Sequence, residues 1–172
     1  MTLAVIYEAL RLRDLVMTLP KLVAEDTMIP YTTWTTPTDS PTASPIISHH
    51  QKLVKAGSHV IIDSPACSRN PFAWSDPDIY DPTRWLEGHK RVGDTGIENF
   101  TGFSSGARVC IGKRMAEVEM ITVIAVMCKE WRMLPVAQEG EGVEEMKARM
   151  MKGSEELNLQ PPKFGLKLEK RV

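Results

Sequence analysis

The sequence predicts an α+β fold class, on three observations. Apolar residues recur at helical spacing over residues 3–13 and again, in a longer run, over 113–130. Residues 52–63 and 164–170 carry the patterns of short strands bounded by turn residues. Between the two helical runs, Pro65, Pro71, Pro77 and Pro82 break any regular helix across 64–102. A chain of 172 residues is long enough for one domain with a core, and its 42% hydrophobic and 25% charged content is that of an ordinary globular protein.

The elements follow in order. Residues 3–13 form a helix with Leu3, Ile6, Tyr7 and Leu10 on one face. Residues 14–66 read as extended, a sheet region interrupted at 32–45 by "TTWTTPTDSPTASP", a Thr/Ser/Pro-rich loop or insertion without periodicity. "KLVKAGSHVIID" reads as strand, Gly-bearing turn, strand. Residues 67–102 read as an irregular meander anchored by Phe72, Trp74, Tyr80 and Trp85. Residues 113–130 are the strongest helix; Met120 to Met127 is apolar nearly all round apart from Thr122, which predicts a buried helix. "WRMLPVA" resembles a short strand, "EGEGVEEMKARMMKGSEE" a charged, solvated connector, and "FGLKLEK" an edge strand, so that 131–172 holds C-terminal strands.

Several function classes are excluded. A net charge of −1 offers no basic face for nucleic acid. The three cysteines, Cys67, Cys110 and Cys128, lack a framework spacing and read as reduced thiols. No apolar run reaches membrane-spanning length, and "MTLAVIYEALRLR" lacks the features of a signal peptide. It reads as the middle of a helix with no cap before it, which fits equally a piece of something longer and a short native N-terminus that frays.

The chemistry concentrates in "FSSGARVCIG", residues 103–112. Cys110 stands just before the 113–130 helix, where the partial positive charge of a helix N-terminus favours a thiolate. Gly112 lets the backbone approach the sulfur, Gly106 can take positive φ, Arg108 offers a cation for an anionic group, and Phe103 can shield the sulfur from water. On these features alone Cys110 fits a ligand, a nucleophile or a core thiol, whereas Cys67 and Cys128 read as core thiols. "GFSSG" also matches the nucleophile elbow of serine hydrolases, but the stretch before it is polar and His49, His50, His59 and His89 all precede Ser104. A zinc site lacks paired cysteines. Upstream, Glu8 and Arg11 share a helix face, as many surface pairs do. Arg84 lies in "DPTRW" and reads by itself as a loop arginine.

Together, Phe103, Gly106, Arg108, Cys110 and Gly112 in F-x-x-G-x-R-x-C-x-G, the upstream E-x-x-R and the intervening Pro-x-Arg-aromatic element resemble the C-terminal portion of the mainly α cytochrome P-450 fold, the haem-thiolate monooxygenase family. The resemblance spans nearly the whole chain and is closest in character to eukaryotic members. It implies a single partial domain. The E-x-x-R helix would occupy 1–13, the sheet region 14–66, the meander 67–102, the haem-ligand loop 103–112, a buried helix 113–130, and strands and connector 131–172. It implies haem as cofactor, with Cys110 as the iron's axial thiolate, Arg108 at a propionate, Phe103 beside the thiolate, and Gly106 and Gly112 close to the porphyrin. Glu8, Arg11 and Arg84 would form a structural triad, and no residue of this stretch is assigned a catalytic role. An electron-donating reductase and a small apolar substrate are the implied partners of the parent, which in eukaryotes is usually anchored at the endoplasmic reticulum.

Two departures qualify the carry-over. Only Pro20 remains of the prolines that often follow E-x-x-R, and 32–45 looks inserted. The family's oxygen-activating helix and membrane anchor lie N-terminal to E-x-x-R. The expectation is therefore the haem-binding portion of a monooxygenase that does not turn over alone. The alternative is a truncated non-catalytic product or a haem- or partner-binding module.

Overall fold

A computed structural model describes residues 1–35, 46–86, 99–151, 154–155, 159–160 and 164–171. It divides the chain into two compact units, one of Met1–Leu19 with Asp63–Val172 and the other of Pro20–Ile62.

In the second unit, strand β2 (Thr27–Thr35) runs antiparallel to β3 (Ile46–Val54), from Thr27 opposite Val54 to Thr35 opposite Ile46. Residues 32–35, expected in a loop, are therefore strand. Their Thr and Trp side chains suit a pleated ribbon, and the Pro/Ser content that suggested a loop begins only after them. The remainder of that expected insertion, 36–45, lies outside the described residues. Strand β1 (Thr18–Leu22) pairs with β4 (His59–Asp63). The strand–turn–strand expected over 52–63 is not a hairpin, because its two strands pair with different neighbours. The Val23 amide donates to the Ser58 carbonyl and the Gly57 amide to that of Val23, so the turn passes the chain from one ladder to the other. Gly57 has φ +82°, the left-handed geometry such a turn requires.

The first unit is built on helix α1 (Thr2–Leu12), whose Ala4, Ile6, Tyr7, Glu8, Arg11 and Leu12 are buried. Ile6 and Tyr7 pack with Trp74 and Phe100, and Leu3, Leu10, Trp85 and Phe103 close the cluster at half burial. The Tyr7 ring stacks on Phe100 at 5.0 Å and meets Trp85 edge-on at 5.3 Å. Of the expected meander anchors, Trp74 is 1% exposed and Trp85 half-buried, but Phe72 and Tyr80 are exposed. Tyr80 instead sends its hydroxyl to the Val5 carbonyl at 3.1 Å.

Helix α2 (Ser64–Ser68) lies where prolines were expected to exclude helix. Pro65 sits in its first turn, where a missing N–H costs nothing, and the Asp63 carboxylate caps the Ala66 amide at 2.9 Å. Arg84 belongs to a 3₁₀ turn, Pro82–Trp85, opened by Asp81 as N-cap to the Thr83 amide.

Helix α3 (Lys113–Glu130) has the expected span but is not buried. Glu117 is its one buried residue, Met120, Ile121 and Ile124 lie half-buried against the α1 cluster, and Met115, Val118, Val123 and Val126 are exposed. Positions 117, 120, 121 and 124 share one face, which packs toward Ile6 and Tyr7 of α1 and the aromatic cluster around them. Beyond α3, strand β5 (Trp131–Pro135) pairs antiparallel with β8 (Leu166–Lys170), Trp131 opposite Lys170. Half of the expected connector, residues 139–156, is instead helix α4 (Val143–Met151), and 152–153 and 156 lie outside the described residues. Glu144 and Glu145 stand in its first turn and Arg149 in its last, charges placed to favour the helix dipole, and Met146 is buried. Short strands β6 (Ser154–Glu155) and β7 (Leu159–Gln160) pair after it.

Candidate functional site

Two constellations meet on α1. The first gathers Glu8, Arg11 and Arg84 out of water, at 0%, 1% and 4% exposure. The Arg11 guanidinium donates to both carboxylate oxygens of Glu8 at 2.9 Å, the bidentate geometry an arginine favours. Arg84 Nε donates to Glu8 Oε1 at 3.0 Å, the Asp81 amide to the same oxygen at 2.9 Å, and the Trp85 indole to Oε2 at 2.9 Å. Burial pushes the Glu8 carboxyl up. The hydrogen bonds from Arg11, the Asp81 amide and Trp85 outweigh it and hold the group below its ordinary range. The remaining Arg11 donors reach the carbonyls of Ser68, Pro77 and Ile79, and Arg84 also reaches those of Ser75 and Ile79. One buried ion cluster thus satisfies the irregular backbone that no ladder serves.

The second constellation is the loop of residues 103–112. Asp14, Ser64 and Thr101 form a hydrogen-bonded cluster, largely out of water, at its entrance. The Thr101 carbonyl accepts the Ser104 amide at 2.8 Å, which starts the turn, and Ser104 takes φ +58°. Gly106 has φ +70° at the head of a short 3₁₀ turn, Gly106–Arg108, and the Val109 amide donates back to the Gly106 carbonyl. The Cys110 amide then donates to the Phe103 carbonyl at 2.8 Å and closes the loop, while the Cys110 carbonyl accepts the first amide of α3, that of Lys113, at 3.1 Å.

Cys110 is therefore at the mouth of α3, and it is exposed, as are Arg108, Val109 and Ile111. Phe103 is half-buried, and its ring stands beside those of Tyr7 and Phe100. Gly112 was expected to be needed for backbone bending, yet its φ is −84°, open to any residue, and a Cβ there would meet only the Cys110 sulfur at 3.8 Å. At Gly106 a Cβ would meet nothing within 4 Å, so its requirement is backbone strain. Cys67 and Cys128 are half-buried, and burial with the nearby Asp63 carboxylate raises the Cys67 thiol. Ser104 is followed by a 3₁₀ turn and preceded by turn, not by the strand a nucleophile elbow needs. Among the described residues no three His, Cys, Asp or Glu side chains stand together as ligands for a bare metal ion.

Sequence reasoning missed a link between the two constellations. The Tyr7 hydroxyl donates to the Glu117 carboxylate of α3, which also accepts Arg114 at 3.0 Å and stands 4.0 Å from the Lys113 ammonium. Tyr7's hydrogen bond holds the Glu117 carboxyl down against its burial, with Arg114 and Lys113 adding to it, and burial with that bond raises the Tyr7 hydroxyl far above the usual phenol range. The i,i+3 and i,i+4 spacing of Arg114 and Lys113 to Glu117 was readable, but nothing local announced a tyrosine 110 residues away.

The residues of this loop fit a flat, partly apolar macrocycle with an acidic edge: Cys110 would offer a soft sulfur at a helix start, Gly106 and Gly112 carry no Cβ, Val109 and Ile111 are exposed and apolar, and exposed Arg108 would offer a cation.

Comparisons with known proteins identify the family. A family model described as Cytochrome P450 matches residues 46–166. Cytochrome P450 monooxygenase 124 of Postia placenta is 31% identical over 172 residues, covering 98% of this chain and 30% of that protein. The mitochondrial cholesterol side-chain cleavage enzyme of Hypanus americanus is 29% identical over 128 residues, 74% of this chain and 20% of its own length. Among solved structures, the cytochrome P450DA heme domain superposes with a TM-score of 0.70 at 20% identity, covering 99% of this chain and 31% of that one. The chain thus spans less than a third of the length of these matches. No described helix is long and apolar enough to cross a membrane.

Proposed function

The chain belongs to the cytochrome P450 family, whose cofactor is haem, and from that premise we propose that it is the haem-binding portion of a monooxygenase, with Cys110 as the thiolate ligand of the iron. The observation that carries the reading is the closed 103–112 loop. It leaves one thiol exposed at a helix N-terminus while both other cysteines stand half-buried elsewhere. When bound, thiolate-ligated haem supplies the activation of O₂ that inserts one oxygen atom into an organic substrate, with electrons from a reductase.

The chain's own residues hold and orient. The Phe103 carbonyl fixes the Cys110 amide, Gly106 turns the loop, and exposed Arg108 would pair with an acidic edge such as a propionate. Glu8, Arg11 and Arg84 bind the 75–85 backbone to α1, a structural role. The substrate class is small and apolar.

The test is the absorption of the reduced carbon-monoxide adduct of the haem-loaded chain. The red-shifted thiolate-type band is expected to vanish in Cys110→Ser and survive in Cys67→Ser; its survival in Cys110→Ser overturns the assignment. A second reading, a haem- or partner-binding module without turnover, is favoured by the apolar residues exposed on α3 (Val118, Val123, Val126). Haem-dependent product formation by the loaded chain with a reductase, above that of free haem, would exclude it and would also overturn the expectation that the chain does not turn over alone.

A further inference from the structure

The first turn of α3 is held by more polar contacts than an exposed helix needs. Glu117 is 4% exposed, although it lies on a helix with four large apolar residues, Met115, Val118, Val123 and Val126, exposed. A buried carboxylate on such a helix is costly unless partnered, and its partners converge from two directions. Tyr7 reaches it from α1, and Arg114 and Lys113 from its own helix. The Lys113 ammonium also lies 5.9 Å from the centre of the Tyr7 ring and 5.8 Å from that of Phe103, within cation–π range of both. Phe103 is the residue whose carbonyl holds the Cys110 amide, and the Lys113 amide is the donor that takes the Cys110 carbonyl. The two backbone bonds that fix Cys110 therefore both end on residues engaged by this polar group.

We propose that Tyr7 and Glu117 are a positioning pair for the Cys110 loop: Glu117 ties the start of α3 to α1 and holds Lys113 over Phe103, so that the Cys110 backbone is clamped from both sides. The assignment of a haem-ligand function to that loop rests on the reading above; the clamp on the Cys110 amide is a property of the chain itself. Neither residue touches the sulfur, and their effect runs through Lys113 and Phe103.

The primary test is hydrogen exchange of the full chain without haem, read as the rate at the Cys110 amide divided by that at the Trp74 amide. The latter is held by the Asn70 carbonyl at 2.9 Å in the same unit and reports the general state of the fold. Tyr7→Phe removes one hydroxyl and keeps the ring stack, Glu117→Ala removes the centre of the group, and Lys113→Met removes the cation while keeping a long apolar stem. Each should raise the ratio, Glu117→Ala by about tenfold, because loss of a buried charged hydrogen-bond partner typically costs enough to open a local segment to that degree. Glu117→Gln, which still accepts from Tyr7 but no longer pairs with Lys113 and Arg114, should fall between.

With haem, Tyr7→Phe and Glu117→Ala should convert part of the thiolate-type carbon-monoxide band to the shorter-wavelength form seen when that ligation is lost. An unchanged exchange ratio in both variants, whether nothing moves or all amides move together, overturns the positioning pair. The band surviving in Cys110→Ser would instead remove the ligand reading and leave the exchange result standing, so the two failures are distinguishable.

Discussion

Replacing Glu8 by alanine should be among the most damaging single changes in the chain. The carboxylate accepts five hydrogen bonds, three on Oε1 and two on Oε2, all between 2.9 and 3.0 Å, with no solvent on it. Alanine leaves two buried guanidiniums facing a void, and breaking a buried ion pair on one side costs about 3–5 kcal/mol. The lower figure is the better expectation, because Arg11 keeps three backbone carbonyls and Arg84 two. A domain is typically stable by about 5–15 kcal/mol, so even ~3 kcal/mol is a large share. The assay is urea denaturation followed by tryptophan fluorescence, since Trp74 and Trp85 both stand at the cluster. Glu144→Ala, which breaks an exposed pair with Lys147 on α4, is the control and should move stability by less than about 0.5 kcal/mol. A Glu8→Ala chain within about 1 kcal/mol of the parent would refute the reasoning. The pH arm has a definite sign. The folded Glu8 carboxyl lies below its ordinary 4.5, so its contribution is full above that value and is lost as pH falls through the lower, folded one. Glu8→Gln should flatten that acid limb.

Three further changes separate backbone from cofactor effects at the loop and test the charges around α4. Gly106→Ala should destabilise the haem-free chain by about 1–2 kcal/mol, because φ is +70° there and a methyl group meets nothing else, whereas Gly112→Ala should change its urea midpoint little. A haem titration that weakens in Gly112→Ala at unchanged haem-free stability would assign that glycine to cofactor contact. Glu141 should titrate at about 2 by NMR, held down by Arg149 and the Gln138 amide, and Arg149→Ala should return it toward 4.5. Its stabilising contribution is therefore expected above pH 4.5 and fades as pH falls toward 2.

What was legible in the sequence was local. Helix α3 announced itself through its apolar run, but an all-round apolar surface carries no direction. The face that docks, through Glu117, Met120, Ile121 and Ile124, was fixed by Tyr7 and the aromatic cluster on α1. Glu8 and Arg11 could be paired by their spacing, yet spacing alone described a surface pair. Their burial comes from Asp81, Arg84 and Trp85, more than 70 residues on, and only the family resemblance connected them. Helix α4 was legible in principle, with acids first and a base last, but its charge outweighed a weak apolar stripe. Ser64–Ser68 was lost to a rule about proline that does not apply in a helix's first turn.

Tyr7 and Glu8 are neighbours in sequence and serve different partners. Tyr7 turns to α3 through Glu117, and Glu8 to the 3₁₀ turn at Pro82–Trp85. A helix of 11 residues is marginal in isolation, so α1 owes its order to what it binds. The dependence is mutual. The 75–85 backbone has no ladder to satisfy it and relies on the Arg11 and Arg84 guanidiniums, and the Cys110 loop relies on an α3 start that is fixed to Tyr7. Both constellations therefore share one short helix as their bracket. The exposed thiol is held along the backbone, through the Phe103 carbonyl and the Lys113 amide, from the core cluster that the Phe103 ring joins.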